Sequence, residues 1–110
     1  MTDETKTQDS ETKDFGWAVH ALKMGLRVRR KGWNGKGMYL FLLTGGDIPK
    51  TAIHDPVLRA AMDQECPGDT FPALPTIRMW TVNSAGRKAI LTGWLASQTD
   101  MLEEDWELVE

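Results

Sequence analysis

Two stretches of this chain gather side chains that suit nucleotide recognition. Arg29, Arg30 and Lys31 run into Trp33 and Asn34, and Trp94 is followed by Ser97, Gln98, Thr99 and Asp100. Tryptophan offers a flat face on which a base can stack, commonly worth about 1–3 kcal/mol per base. Arginine and lysine neutralise phosphates. Asn, Gln, Ser and Thr at turns can read ribose hydroxyls and base edges. A third group is Arg78 with Trp80, one basic and one stacking residue two apart on a strand and so on one face. Trp33, Trp94 and Trp106 equally suit core or interface packing. Five tryptophans in 110 residues still call for at least one exposed stacking face.

Catalytic arrangements are not legible. Glu103, Glu104 and Asp105 are adjacent acids on a short turn and point in different directions, which does not make an acid/base pair. Ser97, His20 and Asp100 have nothing in the sequence to fix a triad's geometry. His54 and Cys66 have no third partner for metal or nucleophilic work. RKGWNGKG is glycine-rich, yet it has neither Walker nor dinucleotide spacing, and Asn-Gly hairpin chemistry explains it. The expectation is a binding protein with no cofactor and no metal.

Several elements must position these groups. Asp14 is a good N-cap for a short amphipathic helix, FGWAVHALK, that ends at Gly25. Leu26 to Arg30 alternates as a half-buried strand, and Asn34-Gly35 turns it into MYLFLL. That second strand is apolar without alternation, so it is expected to be central and covered on both faces. Residues 45–75 read as an insertion or lid with one short helix, started by Asp55-Pro56. Thr76 to Val82 and the RKAILTGWLA run form a second hairpin. Thr99 or Asp100 begins a single helical turn, and a short strand near Trp106 closes the chain. The fold class is α+β: a small antiparallel sheet of four or five strands with one N-terminal helix packed on it. One sheet face is left bare, and association is the easiest way to cover it, so a homo-oligomer is expected.

Composition narrows the rest. Hydrophobic residues are 41% and charged residues 26%, an ordinary globular balance for one domain over residues 14–110. Residues 1–13 carry too little apolar surface to offset ordering entropy and read as a disordered acidic tail. No apolar run matches a membrane span or a secretory signal, and a lone Cys66 points to a reducing compartment. The net charge is -3, which argues against a nucleic-acid polymer or a membrane as partner. The signs separate within the chain. Phe15 to Gly46 holds six bases and no acid, whereas Thr99 to Glu110 holds six acids and no base. Two such segments suit neighbouring strands or a subunit contact, and the basic one alternatively suits an anion site.

RKGWNGKGMYLFL, WLASQTDMLEEDWE and the opening FGWAVHALKMGLRVRR resemble a phage and prophage family, the second Thoeris anti-defence family. The resemblance covers nearly all of residues 15–44 and 75–109. It implies a small α+β homotetramer in the cytoplasm of the infected host. Such proteins are not enzymes. They sequester glycocyclic ADP-ribose made by TIR-domain enzymes, and some relatives also sequester cyclic di- or trinucleotides at separate sites. It further implies that Trp33, Asn34, Trp94, Ser97, Gln98, Thr99 and Asp100 bind the ligand. On that reading Trp33 stacks on adenine, Arg29, Arg30 and Lys31 meet the pyrophosphate, and Phe15 closes the pocket. Before the second hairpin the family pattern has Arg-Pro-His-Ile-Asp-Met-Lys, where this chain has Leu74 to Trp80. The gain of Arg78 and Trp80 would suit a cyclic di- or trinucleotide. The alternatives are a phosphodiesterase that cleaves such signals and a protein-interaction module with no small ligand.

Overall fold

The computed structural model describes residues 12–33 and 37–110. Asn34 and the Asn-Gly turn therefore lie outside the described residues, as does nearly all of the acidic N-terminal segment. The chain divides into two compact units, one of residues 1–43 with 76–110 and one of Thr44–Pro75.

The first unit is α+β. Helix α1 (Phe15–Lys23) starts where the Asp14 carboxylate accepts the Trp17 N–H at 2.9 Å, and it ends at Gly25, whose φ of 85° an L side chain resists. Five antiparallel strands follow: β1 (Val28–Arg30), β2 (Tyr39–Leu43), β5 (Thr76–Val82), β6 (Lys88–Leu91) and β7 (Trp106–Leu108), in the order β6-β5-β2-β1-β7. Between β6 and β7 sits a short helix, α3 (Gln98–Leu102). Its N-cap is Ser97, two or three residues before the start expected at Thr99 or Asp100, and Ser97 with Asp100 forms a capping box. The turn of the second hairpin is held by Asn83, whose side-chain oxygen accepts the N–H groups of Ala85 and Arg87.

Pairing places the basic segment beside the acidic one. In β1 and β7, Val28 faces Leu108, Arg29 faces Glu107 and Arg30 faces Trp106. Their expected complementarity is real: they are neighbouring strands. Lys13 extends that edge, exchanging two backbone hydrogen bonds of 2.7 and 2.9 Å with Trp106.

The register also sorts the side chains by face. Val28, Leu40 and Met79 point toward α1, where Ala18, Ala21, Leu22 and Trp106 complete a buried core. Two alanines on the helix let its backbone approach the sheet closely. The other face carries Tyr39, Phe41, Arg78, Trp80 and Ile90 by the same alternation. Strand β2 is central, as expected, but it is not covered on both faces: only Leu40 is fully buried, and Tyr39 and Phe41 remain half-buried. An unbroken apolar run does not distinguish a doubly covered strand from one whose outer face is aromatic.

The second unit contains β3 (Gly46–Pro49) paired antiparallel with β4 (Thr70–Ala73), a 3-10 turn at Lys50–Ala52 and helix α2 (Pro56–Glu65). Asp55 caps α2 through the N–H groups of Val57 and Leu58, with Pro56 in its first turn. Lys50 is buried, and its ammonium donates to the Cys66 carbonyl at 2.6 Å, beyond the end of α2. The two-stranded sheet had no counterpart in the sequence reading, because Thr70–Ala73 contains a proline.

Leu40 lies at the centre of the first unit's core with no exposed surface. Leu40→Ala removes three buried carbons and leaves a cavity, which costs about 2–5 kcal/mol. Urea unfolding should show that loss, and a change under about 1 kcal/mol would mean that the core does not close around β2.

Candidate functional site

Arg30 organises the site. It ends β1 on the helix-covered face, with its side chain only 12% exposed. Its Nε donates to Asp105 Oδ1 at 2.8 Å and Nη1 donates to Asp100 Oδ1 at 2.8 Å. These contacts join residues 75 and 70 positions apart. Both carboxylates have further work. Asp105 Oδ2 accepts the Gly32 N–H at 3.2 Å, and its backbone carbonyl accepts the Lys31 N–H at 2.8 Å. Asp100 Oδ2 accepts the Ser97 N–H at 2.9 Å, while Ser97 Oγ accepts the Asp100 N–H at 3.1 Å. One guanidinium thus ties the segment leading to Trp33 to the turn that carries Ser97–Asp100.

Titration follows from this geometry. The bond from Arg30 holds the Asp105 carboxyl below the usual carboxylate range. Burial alone would raise Asp100, but the N–H and hydroxyl of Ser97 together with Arg30 outweigh it and hold this group low as well. The Asp105 hydrogen bond in turn raises the Arg30 guanidinium.

Beside the charged link stands an aromatic cluster. Trp106 is fully buried, and its indole N–H donates to the Asp100 carbonyl at 2.9 Å. Trp33 meets Trp106 at 5.5 Å between centroids and Trp94 at 6.5 Å, both edge-on, and Phe15 lies 5.6 Å from Trp106. Edge-to-face contacts suit the ring quadrupoles and leave the ring faces free of parallel stacking. Trp33 and Trp94 are half-buried, while Ser97, Gln98 and Thr99 are exposed along the start of α3.

The expected site residues divide between two surfaces. Phe15, Arg30, Trp33, Trp94, Ser97, Gln98, Thr99 and Asp100 come together on the helix side. Arg29, Arg78 and Trp80 lie on the opposite face of the sheet. Arg29 and Arg30 are neighbours on a strand and point opposite ways, so one pyrophosphate does not meet both. Arg29 Nε donates to Glu107 at 2.9 Å and lines a hollow of about 700 Å³ with Lys13, Trp17 and residues 107–110. Lys31 is exposed. Trp106 and Asp105 were not expected in the site. Their signal was the opposed charge of the two segments, which pointed to pairing before it pointed to a pocket.

Residues 13–109 match the family model described as the Thoeris anti-defense 2-like domain. The chain is also 32% identical over 102 residues to Thoeris anti-defense 2 of Bacillus phage SP01, spanning 86% of this chain and 92% of that protein. The chain belongs to the Thoeris anti-defense 2-like family. That match covers α1, the five-stranded sheet and the second unit together. The RKGWNGKG and WLASQTDMLEEDWE segments that carry the resemblance are the two that Arg30 connects. No helix among the described residues is long and apolar enough to cross a membrane.

Removal of Arg30 leaves Asp100 and Asp105 without their charged partner. Arg30→Gln should cost about 2–3 kcal/mol at neutral pH, the scale of hydrogen bonds to charged groups. Both carboxyls are lowered on folding, so their stabilisation is present above the unfolded value near 3.8 and lost as pH falls through the lower folded values. The gap between wild type and variant should therefore be widest above about pH 5 and narrow below about pH 4. Denaturant unfolding across pH 3–7 checks this, and a gap independent of pH would contradict it.

Proposed function

We propose that this protein is an anti-defence sponge that binds glycocyclic ADP-ribose in the cytoplasm of an infected bacterium and holds it intact. The observation that carries this reading is the junction of the two family motifs. Trp33 and Trp94 supply half-buried aromatic surface, and the exposed start of α3 offers Ser97, Gln98 and Thr99 within the same cluster. An adenine stacks on Trp33, riboses meet the α3 hydroxyls and amide, and Lys31 meets the pyrophosphate. Arg30 and Asp100 hold the two sides in place. Asn34 belongs to this reading through the family motif. A sponge acts by stoichiometry, and sequestration at nanomolar signal takes about -12 kcal/mol of binding energy.

Exposed apolar residues lie next to Trp94 and on α3: Leu95 is 88% exposed, Leu102 73% and Met101 39%. In the proposed homotetramer, copies of the chain cover these residues and close the site. Sedimentation velocity checks the assembly, with a tetramer expected and a monomer at micromolar concentration contradicting it.

A second ligand class, a cyclic di- or trinucleotide, has one favouring observation. Arg78 and Trp80 lie on one face of β5, beside a hollow of about 350 Å³ that Trp80 lines.

The function is tested by retention. Protein mixed with glycocyclic ADP-ribose, linear ADP-ribose and cyclic oligonucleotides is filtered, heated and analysed by mass spectrometry. Recovery of intact glycocyclic ADP-ribose is expected. Fragments would make the protein a phosphodiesterase, and no retention would leave a protein-interaction module. Gln98→Ala with Thr99→Ala removes exposed groups and should change stability by no more than about 0.5 kcal/mol. It should nevertheless weaken retention at least about tenfold, the factor that 1.4 kcal/mol represents.

A further inference from the structure

We propose that the uncovered face of the five-stranded sheet binds single-stranded nucleic acid. It uses none of the residues around Trp33, and it gives the Arg78–Trp80 face a linear strand in place of the cyclic second ligand. Three aromatic side chains lie there on the adjacent strands β2 and β5. Tyr39 stands directly opposite Trp80, and Phe41 stands opposite Arg78. The Tyr39 and Phe41 rings are 6.3 Å apart between centroids, a spacing suited to consecutive unstacked bases. None of the three belongs to the buried core or to the side chains packed against it. They line, with Arg27 and Ile90, a hollow of about 350 Å³.

The charge of this face is opposite to that of the whole chain. Among the described residues, Arg27, Arg29, Arg78 and Lys88 stand on it against one carboxylate, Glu107, which pairs with Arg29. The net charge of -3 conceals this local excess of cations. The Arg27 guanidinium sits over the Tyr39 ring, 5.0 Å from its centre, a cation–π contact that does not use up its N–H donors. Arg78 lies at the side of Trp80, oriented by its bond to Thr76 Oγ1 at 3.3 Å.

These features select the occupant. A second copy set face to face would press Arg27, Arg78 and Lys88 against their own copies. An anion with flat apolar rings satisfies both the charge and the aromatic surface. Aromatic side chains on the open face of an antiparallel sheet are a recurrent platform for unpaired bases, because every base offers a π-face and a duplex hides it. The aromatic row runs along two adjacent strands. A linear strand fits that shape better than a compact cyclic dinucleotide.

The test is fluorescence anisotropy of a fluorescein-labelled 12-nucleotide oligo(dT), with a 12-base-pair duplex and cyclic di-guanylate as competitors. Binding is expected for the single strand, weaker binding for the duplex, and displacement only at high concentration of the cyclic dinucleotide. Trp80→Ala should weaken binding about tenfold, within the range for loss of one stacked base. Arg78→Gln, a substitution at a partly exposed residue, should reduce the slope of log affinity against log salt by about one. The double variant Gln98→Ala, Thr99→Ala should leave oligonucleotide binding unchanged, which separates this face from the sequestration site. Any of three results overturns the proposal. These are no anisotropy change at 100-fold excess of protein over probe, full binding by both Trp80→Ala and Arg78→Gln, or tight cyclic dinucleotide binding without binding of the linear strand.

Discussion

A single guanidinium, that of Arg30, joins two stretches of chain some seventy residues apart. Arginine suits the task because its planar fork serves two carboxylates at once, where the compact ammonium of lysine would serve one. The link matters through what it fixes. Asp100 caps α3 with Ser97 and presents its carbonyl to the Trp106 indole. Asp105 holds the backbone of Lys31 and Gly32 just before Trp33. The aromatic cluster and the polar turn are thereby set side by side. A largely buried ion pair is a poor source of net stability, since desolvation offsets much of the attraction. Its value here lies in specificity: with the β1–β7 pairing it favours one arrangement of the two segments.

The sheet then separates two chemistries. Side chains alternate, so the face toward α1 holds the core and the Arg30 link. The opposite face holds Tyr39, Phe41, Trp80, Arg27 and Arg78. The strands are short, three residues each in β1 and β7, and the edge at β7 is extended by the Lys13 bridge to Trp106. Within so small a frame, every second residue of a strand is at a surface, and consecutive residues such as Arg29 and Arg30 serve different ones.

Much of this was legible in the sequence. The caps at Asp14 and Asp55 could be read because they depend on contacts three residues long. The second hairpin could be read from Asn83 and Gly86, and the α+β class from the alternation of its strands. The complementarity of the basic and acidic segments was visible as charge alone, and it became the β1–β7 pairing. Three features were not legible. The outward face of β2 was hidden, because Tyr39 and Phe41 count as apolar whichever way they point. The split of the basic run was hidden, because adjacency in sequence reads as adjacency in space. Core packing was a reading open for Trp106, but its partners were hidden, because one as distant as Phe15 leaves no local mark. Both candidate segments were legible from their residue types, and the resemblance joined Trp33 and Ser97–Asp100 into one candidate site before any geometry did.

The central claim is that the two motifs form one ligand site on the helix side of the sheet. The most direct measurement follows the five indole N–H resonances by NMR while glycocyclic ADP-ribose is added. Trp33 and Trp94 should shift together with a single saturation curve, and Trp106 should follow through its bond to Asp100. Trp80, on the other face, should stay in place. Shifts confined to Trp80, or separate saturation of Trp33 and Trp94, would contradict the account.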